Sequence, residues 1–234
     1  MKLAIMQPYL FPYLGYFQLI SAVDTFVVYD DAQYMKGGWI NRNRILVNGE
    51  PKYITLPTTR SEASDLLINQ RHFVPEFQEA KLAVLRQIEA AYRKAPYFAE
   101  TLQLVQTCFQ CDDTNVALFV AQSIRFCCQH LGISTPIKVS SALAKDANLR
   151  AQERVIDMNK VLGADQYLNA TGGRELYRKE DFAEHGITLS FIQMHDIHYV
   201  QFDKPFTPNL SILDVLMFNP PERSRELLTK FDIT

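Results

Sequence analysis

The sequence predicts an α/β fold with an open, mainly parallel, Rossmann-like sheet, a helical insertion and a β-hairpin. Buried-strand patterns at residues 2–6 and 24–30 enclose a helical pattern that starts near Tyr13, an order typical of a parallel βαβ unit. An Asn-Gly pair at 48–49 separates two strand-like runs and predicts a tight hairpin. Residues 73–131 repeat apolar side chains at three- and four-residue spacing, which predicts a block of helices.

The rest of the chain alternates between strand and helix patterns. Strands are predicted over residues 137–141, 165–169 and 186–192, and helices over 149–162, around 176–184 and from Ser211 onward. Residues 58–70 are predicted to form a surface connection with a short strand at 66–68. Because no repeat, low-complexity stretch or linker divides the chain, we expect residues 1–234 to form a single α/β domain.

Composition and charge limit the kinds of protein this chain can be and the kinds of partner it can bind. The chain has 234 residues, of which 47% are hydrophobic, and this is enough for a sizeable core. A formal net charge of −2 argues against a nucleic-acid partner bound through bulk positive charge. No window reaches the ~18 consecutive apolar residues of a membrane span, and no signal-peptide pattern is present. We expect a cytoplasmic protein that binds a small polar or nucleotide-activated substrate, and the oligomeric state is left open.

The first candidate binding loop follows the first predicted strand. It contains Gln7, Pro8, Tyr9, Tyr13, Gly15 and Tyr16. A strand, a tight turn and a helix N-terminus together expose free N–H groups, which favour an anion or a nucleotide. Tyr13 and Tyr16 are expected to donate hydrogen bonds to phosphate, and Gly15 allows backbone or ligand to come close.

The second candidate site follows the second predicted strand, where Asp30 and Asp31 are adjacent carboxylates. Ligands of open α/β sheets bind beyond the carboxyl ends of the strands, so this pair is expected beside the first loop. We predict that Asp30 or Asp31 acts as a general base or as a Mg²⁺ ligand. Ser140 and Ser141 end a later strand and can donate to the same ligand, or else cap the next helix. The cofactor is left open, with Mg²⁺ and a nucleotide as the candidates.

A loop rich in aromatic and polar residues follows the acidic pair. It contains Tyr34, Trp39, Asn41, Arg42 and Asn43, and Arg44 ends the polar run. Trp39 is predicted to be a platform for a planar ring, and Arg42 is predicted to hold a phosphate or a carboxylate. The alternative is a solvated surface loop in which Trp39 packs against the protein.

A glycine-containing loop follows the strand predicted at 165–169. It supplies Thr171, Gly172, Gly173 and Tyr177 as further candidate binding residues. Two glycines allow the backbone to approach a ligand closely, although Gly-Gly pairs are also common in plain turns.

The cysteines and histidines give no firm metal motif. The four cysteines are Cys108, Cys111, Cys127 and Cys128. Their spacing could suggest a zinc or redox site, but they fall within apolar helical patterns and are predicted to be buried thiols. His195 and His198 could share a metal, but the only carboxylate close to them in sequence is Asp196. We therefore predict no metal ligands among the cysteines and histidines.

Several of these motifs resemble the WbqC-like proteins, a bacterial family found among genes for O-antigen and other surface glycans. The resemblance rests on Gln7-Pro8-Tyr9, Phe11-Pro12-Tyr13-Leu14-Gly15-Tyr16, Asp30-Asp31 with Gln33-Tyr34, Trp39 with Asn41-Arg42-Asn43, Gly172-Gly173 with Tyr177, and Leu210-Ser211 with Asp214. It implies a transferase that acts on an activated sugar or amino acid in O-antigen (lipopolysaccharide) synthesis, including glycine or aminoacyl transfer. The alternative is a non-catalytic protein that binds a nucleotide or a sugar nucleotide.

A weaker resemblance links Tyr13-Leu14-Gly15-Tyr16 to the His-x-Gly-His motif of nucleotidylyltransferases, which also follows a first strand and begins a helix. Tyrosine stands at both histidine positions. A neutral phenol can donate a hydrogen bond to phosphate but cannot supply the positive charge of an imidazolium. This difference favours a cradle that is retained for binding over nucleotidyl transfer.

Overall fold

A computed structural model of the chain describes residues 1–60, 66–202 and 205–234. It confirms the predicted class, with a mainly parallel six-stranded sheet, a separate antiparallel hairpin and several helices. The strands are β1 (Lys2–Met6), β2 (Thr25–Val28), β3 (Arg42–Val47), β4 (Glu50–Thr55), β5 (Ile137–Val139), β6 (Gln166–Ala170), β7 (Thr188–Met194) and β8 (Phe231–Ile233). The helices are α1 (Leu14–Ser21), α2 (Phe77–Tyr92), α3 (Phe98–Phe109), α4 (Val116–Leu131), α5 (Ala151–Leu162), α6 (Lys179–Ala183), α7 (Ile212–Phe218) and α8 (Pro221–Leu227).

The large sheet has the strand order β5-β2-β1-β6-β7-β8, and all neighbours are parallel except β7 and β8. The chain order reverses beside β1, since β2 and β5 extend the sheet on one side of it and β6 and β7 extend it on the other. In open α/β sheets the ligand crevice lies at such a reversal, beyond the carboxyl ends of the strands. The loops that follow β1, β2, β5 and β6 are therefore the candidates for a ligand-binding site.

Helices cover both faces of the sheet because its central strands are apolar on both faces. On one face, Ala4 of β1 belongs to the same core as Phe17 of α1 and Ile124 of α4. On the other face, Ile5 belongs to a second core with Met158 of α5. The predicted helical insertion consists of α2, α3 and α4 and packs on the first of these faces. Among the helices of the described residues, none is long and apolar enough to cross a membrane.

The hairpin β3–β4 forms because Asn48 and Gly49 both adopt positive φ, 55° and 84°, as a mirror-image two-residue turn requires. Ile45, Leu46 and Ile54 are fully buried in the first core, which attaches the hairpin to the helical layer. The attachment fixes the start of β3 beside the carboxyl edge of the sheet.

Three local predictions differ from the structure. The short strand expected at 66–68 is an isolated bridge at Leu67 followed by a 3-10 turn, because only Leu67 pairs across to Gln33. Residues 61–65 of the predicted surface connection lie outside the described residues. The helix expected around 176–184 starts later, since Thr171–Leu176 forms a 3-10 helix and α6 follows it. The edge strand β8 was not predicted, since its three residues are too few for a periodic pattern.

Candidate functional site

Two of the predicted loops meet at the carboxyl edge of the sheet. The backbone N–H of Leu10 donates to the carbonyls of Trp39 and Ile40 at 3.3 Å and 3.1 Å. The Asn43 amide donates to the carbonyls of Leu10 and Phe11 at 3.0 Å and 2.8 Å. Because Asn43 is buried, these bonds hold the loop after β1 against the start of β3 and build one wall of a binding region.

The acidic pair after β2 joins the loop after β5 in a group that we call the charge cluster, formed by Asp30, Asp31, Ser140, Ser141, Lys145 and Arg154. Ser141 donates to Asp30 through its N–H at 2.9 Å and its hydroxyl at 2.6 Å. Asp31 accepts from the Ser140 hydroxyl at 2.6 Å and pairs with Lys145 at 2.8 Å and Arg154 at 2.6 Å. The structure thus brings together the predicted aspartates and serines, with two cations that were not predicted.

Electrostatics keep Asp31 ionised within the charge cluster. Burial alone would raise the pKa of Asp31, but the hydrogen bonds from Lys145 and Ser140 and the charges of Lys145 and Arg154 together lower it below its usual value. These donors already occupy the oxygens of Asp31, and two positive side chains would repel a divalent cation. The cluster therefore does not fit Mg²⁺, and the catalytic role of Asp30 and Asp31 stays a prediction.

A cavity of about 280 Å³ lies between the first loop and the start of β3, and we call it the aromatic–arginine cavity. Its lining residues are Tyr9, Tyr13, Trp39, Asn43, Arg44 and Asn209. The Arg44 guanidinium carbon lies 5.4 Å from the centre of the Trp39 ring, within the range of a cation–π contact. Among the described residues, this lining has one cation, Arg44, and no carboxylate, so the cavity favours an anion.

A second cavity of about 390 Å³ adjoins the first, and we call it the histidine cavity. Its lining includes Tyr13, His195, Tyr199, Phe206 and Asn209. Tyr13 and Asn209 therefore line both cavities. The His195 Nε2 atom lies 3.2 Å from an Asp232 oxygen on β8, at ion-pair distance for a protonated imidazole.

A buried hydrogen-bond network supports the wall of the histidine cavity. The fully buried carboxylate of Asp214 accepts from the hydroxyls of Tyr199 at 2.7 Å and Tyr92 at 2.8 Å, and from the Gln201 amide at 2.6 Å. Burial raises the pKa of Asp214, and the three donors only partly offset this. The network fixes the orientation of Tyr199, which is the member that lines the cavity.

The other predicted residues of the first loop divide between the cavity and the core. Tyr9 lines the aromatic–arginine cavity, whereas Tyr16 is fully buried and donates its hydroxyl to the Gln7 carbonyl at 3.0 Å. Pro8 is buried in the turn between them. A Cβ at Gly15 would come within 2.5 Å of the Tyr13 ring, so the close approach expected at this glycine is made by Tyr13.

The polar residues of the loop before β3 mostly hold that loop in place. Arg42 donates to the Gly38 carbonyl at 3.0 Å and to the Gly37 carbonyl. Asn41 donates to the Leu56 carbonyl at 2.8 Å and accepts from the Tyr34 hydroxyl at 3.0 Å. Arg42, Asn41 and Tyr34 do not line either cavity, whereas Trp39 and Asn43 line the smaller one.

The glycine loop after β6 does not line either cavity. Thr171 donates to the Ile192 carbonyl of β7 at 2.8 Å. A Cβ at Gly173 would meet the Asn169 amide at 2.3 Å, whereas a Cβ at Gly172 would meet nothing within 4 Å. The Tyr177 ring packs against the ring of Tyr167, with 5.9 Å between centroids. The ligand role predicted for this loop stays a prediction.

Tyr13 is the only predicted site residue in the described lining of the histidine cavity, and Arg44 and Asn209 of the aromatic–arginine cavity were not predicted either. Arg44 ends the polar run 41–44, but the phosphate role was predicted for Arg42 alone, although strand alternation puts both arginines on the same side of β3. His195 was weighed only as a metal ligand, and Asn209 carries no local motif. The pairing of β8 with β7 brings Asp232 to His195, and an unpredicted strand gives no such signal.

Cys108, Cys127 and Cys128 are buried within α3 and α4, as predicted, whereas Cys111 follows the end of α3 and is half-buried. Burial raises the pKa of Cys128 to about 12. A hydrogen bond with Cys108, together with burial, raises the pKa of Cys127 well above its usual value. In the part of the chain that the structure describes, no group of three or more His, Cys, Asp and Glu side chains is arranged to hold a metal.

Comparison with known proteins assigns the family. The model of the WbqC-like protein family matches residues 7–226. The chain belongs to the WbqC-like family. It is also 30% identical over 220 residues to the Mycobacterium tuberculosis protein named uncharacterized protein Rv1507c, covering 93% of each chain. No solved structure matches it, and no comparison supports the likeness to nucleotidylyltransferases at Tyr13–Tyr16.

Proposed function

We propose that this WbqC-like protein is a transferase that joins two polar substrates, an activated sugar or amino acid and an acceptor, in bacterial surface-polysaccharide synthesis. The observation that carries the proposal is the pair of adjoining cavities, of about 280 Å³ and 390 Å³, that share Tyr13 and Asn209. A transfer reaction needs two ligands whose reacting atoms meet. Two cavities with a common wall suit that requirement better than one closed pocket.

His195 is the residue that we propose as the proton acceptor. The acceptor substrate attacks the activated carbon of the donor through its amine or hydroxyl, the bond from that carbon to the leaving group breaks, and the acceptor's proton passes to Nδ1 of His195. The Asp232 carboxylate, 3.2 Å from Nε2, stabilises the positive charge of the imidazolium that forms. The leaving group departs with the electron pair of the broken bond.

Family membership supports the proposed pathway and substrate classes. WbqC-like proteins occur among genes for O-antigen and other surface glycans, and the resemblance implies transfer of an activated sugar or amino acid, including glycine. A nucleotide or phosphate on the donor agrees with the cation-bearing cavity.

The test is to incubate the purified protein with UDP-sugars, or with ATP and glycine, and amine or hydroxyl acceptors, and to follow products by mass spectrometry. We expect a new conjugate with the native protein and a loss of roughly 10²–10⁴ in rate with His195→Gln. His185→Gln, at an exposed turn position just after α6, is the matched control and should keep the native rate. A rate in His195→Gln equal to that of the native protein would contradict the role of His195, and the absence of any conjugate across the panel would contradict a transferase.

A second candidate function is a binding protein without turnover. It is favoured by the charge cluster, whose carboxylates are engaged by protein donors and cations. Ligand-induced stabilisation without any conjugate in the same incubations would identify this function.

A further inference from the structure

We propose that the aromatic–arginine cavity is an oxyanion-binding subsite in which Arg44 grips the phosphate or carboxylate group of a substrate. This inference deepens the proposed function, because it assigns one chemical class of ligand group to one of the two cavities. It rests on the contacts of Arg44 and on the lining of the cavity.

The Arg44 guanidinium has little to bind within the protein. Within the described ranges of the chain, its one hydrogen bond runs from a terminal nitrogen to the Asn209 carbonyl at 3.3 Å. Among the described residues, no carboxylate lies within 4.0 Å of Arg44, and its buried Nε has no hydrogen-bond partner. A guanidinium has five N–H donors; because Nε is shielded and one terminal N–H is bonded to the Asn209 carbonyl, three donors of the terminal nitrogens are left for a ligand.

The surroundings of Arg44 hold the guanidinium in position. The Trp39 ring lies 5.4 Å from the guanidinium carbon, and the Tyr53 ring lies 6.0 Å from the Trp39 ring. The backbone N–H of Arg44 donates to the side chain of Asn43, whose amide is anchored to the first loop. A guanidinium that is pre-oriented by its neighbours loses less entropy when it binds a planar or tetrahedral oxyanion.

Arg42, the other arginine of this segment, has its donors occupied by the protein, unlike Arg44. Arg42 donates through Nε and a terminal nitrogen to the carbonyls of Gly38 and Gly37, and its guanidinium lies over the Tyr53 ring at 4.6 Å. Its donors therefore fasten the loop, whereas Arg44 lines a cavity in which the described residues provide no carboxylate. The phosphate role predicted for Arg42 fits the geometry of Arg44 better.

Trp39 is the only tryptophan of the chain, so intrinsic fluorescence reports directly on this cavity. Inorganic phosphate and pyrophosphate test the phosphate class, and glycine and acetate test the carboxylate class, with sodium chloride at equal ionic strength as the reference. We expect at least one of the four to change Trp39 fluorescence in a saturable way. The class that binds identifies the group that the cavity accepts.

The decisive variant is Arg44→Gln, compared with Arg86→Gln on the exposed side of α2. We expect Arg44→Gln to weaken oxyanion binding by roughly tenfold to a hundredfold, because a charge-assisted hydrogen bond is lost, and Arg86→Gln to leave it unchanged. Arg44→Lys keeps the positive charge but loses the paired donors of the planar guanidinium. It should retain part of the oxyanion affinity if the variant folds. No saturable change with any probe, or equal affinity in Arg44→Gln, would overturn the subsite.

The outcome separates this inference from the proposed function. Arg44-dependent oxyanion binding without any conjugate would support the subsite and count against the transferase. A conjugate formed by Arg44→Gln with the native KM for the donor and for the acceptor would support the transferase and overturn the subsite.

Discussion

The charge cluster and the aromatic–arginine cavity lie at the same edge of the sheet and use the same residue types in opposite ways. In the charge cluster, Lys145 and Arg154 both pair with Asp31 within 2.8 Å, and all three side chains are largely buried. In the cavity, no carboxylate of the described residues pairs with Arg44. Its guanidinium donates a long hydrogen bond, 3.3 Å, to the Asn209 carbonyl.

This difference in pairing distinguishes polar residues that stabilise the fold from polar residues that are available to bind a ligand. A buried ion whose partners are in place resists change, because removal of one partner leaves an uncompensated charge. A guanidinium that faces an open cavity contributes little to stability and is available for binding. The two regions should therefore respond in opposite ways to mutation.

The largest effect is expected for Asp31→Asn. This change leaves Lys145 and Arg154 without their shared carboxylate, and we expect a loss of about 3–5 kcal/mol in the free energy of unfolding. Urea denaturation followed by circular dichroism measures it. Glu184→Gln, which removes one exposed negative charge at the end of α6, is the control and should change stability by less than about 0.5 kcal/mol. Equal losses in both variants would show that the cluster is not a closed structural unit.

A smaller effect is expected from acid. The pKa of Asp31 is lowered in the folded protein, so its contribution is fully present above its unfolded pKa, near ~3.9, and is lost as pH falls through the folded pKa. The stability difference between the native protein and Asp31→Asn should therefore narrow below about pH 4. Urea midpoints measured from neutral pH downward test this, and a gap that stays constant through the acid range would contradict it.

The smallest effect on stability is expected at Gly15, beside the cavities. A Cβ there would come within 2.5 Å of the Tyr13 ring, which lines both cavities and can move at its far end. Because alanine also favours a helix over glycine by about 1 kcal/mol, we expect Gly15→Ala to keep or slightly raise stability while it weakens oxyanion binding. Gly172→Ala, where the new Cβ meets nothing within 4 Å, should change neither property. Unaltered binding in Gly15→Ala would show that the position of Tyr13 does not matter for the ligand.

Much of the fold could be predicted from periodicity, and less of the site could. The bounds of β1 and the turn at Asn48-Gly49 depend on local sequence, and both agree with the structure. The contacts of the site join distant residues, such as Arg44 with Asn209, and these depend on tertiary packing. The loop before β3 was predicted as a binding region, but its residue types cannot show that Arg42 binds backbone while Arg44 faces a cavity.

The most direct test of the account is to measure Arg154→Gln and Arg44→Gln side by side, by urea unfolding and by Trp39 fluorescence titration with pyrophosphate. We predict that Arg154→Gln lowers the free energy of unfolding by about 1–3 kcal/mol and leaves pyrophosphate affinity unchanged. Arg44→Gln should do the reverse, with native-like stability and affinity weakened by roughly tenfold or more. If both variants lose stability and affinity together, the division between a closed charge cluster and an open binding cavity is wrong.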